Sequence, residues 1–183
     1  MADYRALILQ RHRQLKWKAF DWLEALLMIL CGVCIFMFTL TVLCDVVTRT
    51  IGAPWLWLQQ VTTAFFAWGV FLGMAAATRR NDHFYITEIT KRMTGAPRTV
   101  IEITNRVIVL IVAILIARYG WKNAVLDLGS FRMPSLIPLT VYTAIVPAAG
   151  VLVALFSIEQ LVNGWRNGFE GPEDRDETRE PIL

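Results

Sequence analysis

Three uncharged runs, residues 25–44, 50–78 and 133–158, constrain this chain more than any other feature of it. Each reaches the roughly 20 residues that cross about 30 Å of hydrocarbon as a helix rising ~1.5 Å per residue. A fourth segment, 99–117, has the length but carries Glu102 and Arg106. Hydrophobic residues make up 56% of the 183, and the mean hydropathy is +0.49, too apolar for a soluble domain of this size. The sequence predicts an all-α membrane protein with four transmembrane helices, over about 22–48, 55–78, 99–118 and 136–162, plus a short amphipathic interfacial helix. This membrane domain, 21–162, follows an amphipathic cytoplasmic segment, 1–20. It precedes a charged tail, 163–183, poor in large apolar residues and expected to be disordered. About twenty polar and amphipathic residues stand before the first full-length span. That is unlike a cleavable signal peptide and predicts that the first helix is retained.

Charge sets the expected orientation. With four spans, 13 Lys and Arg residues collect on the side of the termini and 4 (Arg49, Arg118, Lys122 and Arg132) on the other, with Arg106 inside a helix. The positive-inside rule then puts both termini in the cytoplasm of a bacterial inner membrane. Cations that flank spans, rather than forming one face, exclude nucleic acid as a partner. They point instead to membrane lipids, with Arg11, Arg13, Lys16 and Lys18 facing anionic headgroups and Trp17 and Trp22 anchoring the interface.

Cys31 and Cys34 form a Cys-x-x-Cys pair, but in mid-span, where a thiolate is poorly solvated; with Cys44 they read as packing residues. Asp45 and Arg49 stand four apart at the outer end of span one, placed to pair. Ile51-Gly52-Ala53-Pro54 makes the turn, and Trp55 and Trp57 anchor the entry to span two. Span two contains Gly69-x-x-x-Gly73-x-x-x-Ala77, a spacing that lets another helix approach closely. Beyond Arg79 and Arg80, residues 83–94 put Tyr85, Ile86, Ile89 and Met93 on one face, opposite Glu88, Lys91 and Arg92. That pattern predicts the interfacial helix. Arg106, about two turns from the cytoplasmic end of span three, is placed to snorkel to the headgroups or to pair with Glu102. Pro138 fits a helix start, and Pro147 a kink in span four.

An ordered set of residues carries a resemblance: Arg49, then Trp57-Leu58-Gln59-Gln60, Phe71-Leu72-Gly73, and Arg79-Arg80-Asn81-Asp82-His83. It resembles the small membrane subunit of tripartite ATP-independent periplasmic (TRAP) transporters, the DctQ-like family. That pattern has an Arg closing span one, Trp-x-Glu-Glu, an apolar span with Phe-Leu-Gly, and a basic, His-containing turn. Gln59 and Gln60 stand where the family has paired glutamates, keeping the hydrogen-bonding shape without the charge. The resemblance implies a subunit that scaffolds a larger multi-span partner. The partner carries the substrate and sodium sites, and a soluble periplasmic protein delivers an organic acid. It implies no enzyme activity, and no metal or cofactor in this subunit. Trp57, Gln59, Gln60, Gly69, Gly73 and Ala77 become candidate partner or helix-packing contacts, and Arg49, Arg79, Arg80, His83 and Arg106 candidate interfacial or motif residues.

The residues themselves fit that reading. No span carries a mid-membrane carboxylate suited to binding sodium or relaying a proton. A haem-bearing subunit needs axial ligands within the helices, and the two histidines, His12 and His83, fall outside them. A self-sufficient small exporter and the four-span subunit of tripartite tricarboxylate transporters are the alternatives.

Overall fold

The computed structural model describes residues 15–80 and 96–168. A 3-10 turn, Lys18–Phe20, leads into α1 (Asp21–Thr50), followed by α2 (Leu58–Arg80) and α3 (Ala96–Leu126). A loop with one short antiparallel pair, β1 (Phe131–Arg132) and β2 (Ile137–Pro138), leads to the one-turn α4 (Thr140–Thr143) and then α5 (Ile145–Asn167). Among the described residues four stretches are long and apolar enough to cross a membrane: Lys18–Thr50, Leu58–Arg80, Thr99–Leu126 and Thr140–Arg166. The chain is an all-α membrane protein of four spans, and among the described residues strand occurs only in that loop. The interfacial helix expected over 83–94, with His83, lies outside the described residues, as do 1–14 and 169–183.

The helices do not close into a compact bundle. α1 packs on α2, α2 on α5, and α5 on α3, which makes a row with α1 and α3 at its ends. The buried cluster threads this row: Leu27 and Cys34 of α1, Leu72, Ala75 and Ala76 of α2, Val153 and Phe156 of α5, and Ala113 of α3. Long apolar side chains remain exposed on the end helices, among them Ile29, Val33 and Phe36 of α1 and Ile108, Ile111 and Leu115 of α3. Water would penalise so continuous an apolar surface. Lipid tails do not, and each helix satisfies its own backbone there.

Two seams hold the row together differently. On α1, buried and half-buried positions recur at alternating three- and four-residue steps (Glu24, Leu27, Cys31, Cys34, Phe38, Thr41), the spacing of a left-handed helix pair. Gly69 and Gly73 of α2 face this stripe. A Cβ on Gly69 would lie 3.4 Å from the Cys34 Cβ, and one on Gly73 3.5 Å from the Cys31 Sγ, both ordinary contacts. The Cys31 thiol donates to the Gly69 carbonyl at 3.6 Å. The α3–α5 seam is closer. A Cβ on Gly150 would fall 2.6 Å from the Ala117 nitrogen, and one on Gly120 2.9 Å from Val146 and 3.0 Å from the Pro147 nitrogen. Backbone meets backbone here, which only glycine allows.

Several expected boundaries shift. Span two begins at Leu58, because Trp55 and Trp57 belong to the turn that enters it. Span three continues through Arg118 and Lys122 to Leu126, since a solvated helix end tolerates charge. Span four does not start at 136. Leu136 adopts φ +56° and Ile137–Pro138 is extended, so Pro138 closes a strand pair instead of opening a helix. Residues 163–167, expected within the tail, are the last turn of α5. At Pro147 the missing N–H interrupts the ladder, and the helix divides into α4 and α5.

Candidate functional site

The polar side chains that join one helix to another gather at the two ends of α2. At its C-terminal end, the last turn carries Arg79, fully buried together with Glu24 of α1 and Glu159 of α5. Arg79 Nη1 donates to Glu24 at 2.9 Å and its Nε to Glu159 at 3.3 Å, while Nη2 reaches Asp21 at 3.0 Å and the Trp17 carbonyl at 2.9 Å. The guanidinium also lies 5.6 Å from the centre of the Phe156 ring. Arg80 Nε pairs with Glu24 at 3.2 Å, and Lys16 Nζ lies 3.8 Å from the same carboxylate.

Three cations, Lys16, Arg79 and Arg80, thus meet three carboxylates, Asp21, Glu24 and Glu159. Helix polarity favours the arrangement: Asp21 and Glu24 occupy the first turn of α1, and the two arginines the last turn of α2. The planar guanidinium can serve several acceptors at once, which a lysine ammonium could not do in the same geometry.

The segment before α1 is strapped into this clasp. The Trp17 N–H donates to Glu159 at 2.5 Å and its indole N–H to Asn163 at 2.7 Å. The Asn163 amide donates back to the Leu15 carbonyl at 3.1 Å, and Leu15 is buried. Gln160 donates to the Thr78 carbonyl at 2.6 Å, where α2 ends and its carbonyls need partners. Trp17 is therefore as much a strap residue as a membrane anchor, while Trp22 is exposed.

At the other end, Gln60 in the first turn of α2 holds the β1–β2 loop. Its side-chain oxygen accepts from the Ser135 N–H at 3.3 Å and from the Ser135 hydroxyl, and its nitrogen donates to the Met133 carbonyl. The Tyr142 hydroxyl donates to the Gln60 carbonyl at 3.1 Å, and the Trp68 indole to the Val141 carbonyl at 2.8 Å. The donor half of the amide meets the Met133 carbonyl, where a carboxylate would set a second acceptor. Gln60 thus binds this chain's own loop; of the pair, only Gln59 is exposed.

The other predicted residues scatter. Arg49 pairs with Asp45 at 2.9 Å. Trp57, partly exposed, stacks on Trp55 with ring centres 5.9 Å apart. Ala77 is half-buried beside the clasp. Arg106 does not snorkel: it is buried, donates to the Glu102 carbonyl at 3.1 Å and pairs with the Glu102 carboxylate. Sequence reasoning missed Glu159, Gln160 and Asn163. Their signal was a polar stripe on one face of an otherwise apolar span.

Among the described residues no cluster of His, Cys, Asp or Glu has the makings of a metal site. The clasp carboxylates are each engaged by cations or N–H donors, an arrangement that holds helices rather than reacts. A family model described as tripartite ATP-independent periplasmic transporters, DctQ component, matches residues 38–167. A Haemophilus influenzae protein named "Putative TRAP transporter small permease protein" is 25% identical over 107 residues, spanning 57% of this chain and 65% of that relative. With the family match covering the second part of α1 and all of α2, α3 and α5, the chain belongs to the DctQ component family of TRAP transporters.

Proposed function

We propose that this chain is the small permease subunit of a TRAP-type secondary transporter. It scaffolds a larger membrane subunit that moves an organic acid with sodium, and a periplasmic binding protein delivers that substrate. The observation that carries the reading is where the polar groups go. Arg79, Glu24 and Glu159 are consumed in locking helices together, as Gln60 is at the opposite end. A translocator must instead keep polar groups near the midplane to bind its ion and substrate.

The row of helices, apolar on its exposed surfaces, supports the same role, since it offers a large partner a wide face within the bilayer. The charge bias supports a reading with the termini and the Arg79 clasp on the cytoplasmic side and the β1–β2 loop outside. Affinity purification of the full chain in mild detergent is expected to recover a much larger many-span protein. The purified chain alone is expected to be inactive in liposomes. Uptake by the chain alone, or recovery without any such protein, would overturn the scaffold reading.

A further inference from the structure

We propose that the groove between α3 and α5 holds one anionic phospholipid, with its phosphate on Arg118 and Lys122 and an acyl chain running along the groove. The groove, open along its outer side, offers about 640 Å³ and is lined by Ile114, Ala117, Val151, Ala154, Leu155 and Ile158. That is far larger than the ~30 Å³ share of a water and within the roughly 300–1,000 Å³ of small-molecule sites.

Arg118 and Lys122 line the same groove, one turn apart on α3 and towards its C-terminal end. The register with α5 follows from Gly150 abutting Ala117. Ile158, eight residues further along α5, then lies about 12 Å deeper at ~1.5 Å per residue. That depth approaches the ~15 Å half-thickness of a hydrocarbon core. Tyr119 and Trp121, 58% and 66% exposed, set the headgroup level beside the two cations.

The charge balance at this end of the molecule selects the occupant. Of the four cations on the loop side, Arg49 is neutralised by Asp45, and Arg132 stacks on Tyr142 at 5.4 Å. Lys122 lies 5.7 Å from the Tyr119 ring, but neither it nor Arg118 meets a carboxylate among the described residues. Asp127 stands five residues beyond Lys122 but pairs with neither cation, and an apolar groove ending in two cations without an ion-pair partner calls for a ligand that brings a negative head and an apolar tail together. A phospholipid of the surrounding leaflet does so, whereas an apolar partner helix leaves both charges unanswered.

The test uses the full chain in mild detergent with equal amounts of phosphatidylglycerol and phosphatidylcholine, read by native mass spectrometry. One phosphatidylglycerol should be retained with roughly tenfold preference, equivalent to about 1.4 kcal/mol. R118Q/K122Q should abolish the preference, whereas K18Q/R166Q, an equal charge change at exposed sites on the opposite end, should leave it. Leu155→Trp, which fills the groove, should lose the retained lipid while circular dichroism stays unchanged. Equal retention of the two lipids, preference surviving R118Q/K122Q, or displacement of the lipid by a bound partner subunit would each overturn the proposal. The readout needs no transport, so its failure leaves the scaffold reading standing.

Discussion

The two ends of α2 are fastened by opposite chemistry. At one end Arg79 is wholly buried among three carboxylates; at the other, Gln60 ties a half-exposed loop with neutral amide bonds. A buried ion costs several kcal/mol to desolvate, and its partners do little more than offset that. The clasp therefore adds little net stability over a well-packed apolar cluster, but it disfavours any arrangement of α1, α2, α5 and the strap that leaves one of its charges unpaired. A neutral hydrogen bond adds about 0.5–1.5 kcal/mol and costs little to lose if water can replace it. The charged end should be brittle and the amide end forgiving.

The largest effect is therefore expected at Arg79. Arg79→Met keeps bulk but leaves Glu24 and Glu159 buried without their main counter-charge. It should cost about 3–5 kcal/mol of stability, measured by unfolding the purified protein in detergent. Adding Glu159→Gln to Arg79→Met should recover part of that loss, because the two residues share one network. A loss below about 1 kcal/mol for Arg79→Met would mean that the clasp is solvated and the contrast between the ends is false.

That contrast was only half legible in the sequence. The uncharged runs gave the spans, since twenty apolar residues have few other stable fates. Arg79 was visible too, but as a flanking cation. Its burial depends on Glu159, which looked like the residue ending an apolar run and turned out to face inwards. The α3–α5 seam was hidden for a similar reason. Gly120 and Gly150 lie on different helices, thirty residues apart, so no single-helix motif betrays them, whereas Gly69 and Gly73 advertise a looser contact. The loop is legible least of all, because its pairing spans two residues a side and rests on Gln60, 75 positions from Ser135.

Gln60 gives the intermediate effect. Gln60→Ala should cost about 1–3 kcal/mol by leaving Ser135 and Met133 under-bonded. Gln60→Glu restores the family's acid and keeps the acceptor for Ser135, but it sets a carboxylate against the Met133 carbonyl. Hydrogen exchange over 131–138 should then speed up in both variants, while the rest of the helix row stays protected. If Gln60→Glu protects the loop as well as the native residue does, the amide donor is not what holds it.

The smallest effect belongs to Gln59, and it separates the two neighbours cleanly. Its side chain is exposed and makes no hydrogen bond among the described residues; only its carbonyl is used, by Thr63 at 2.8 Å. Gln59→Ala should change the stability of the isolated chain by no more than about 0.5 kcal/mol. The same substitution should lower the yield of co-purified partner if this exposed amide contacts another subunit, because a polar group buried at an interface must be satisfied there. An unchanged yield would confine the partner's footprint to the apolar faces of the row. A large loss of stability would place Gln59 in the amide clasp beside Gln60, erasing the distinction between the inward and outward members of the pair.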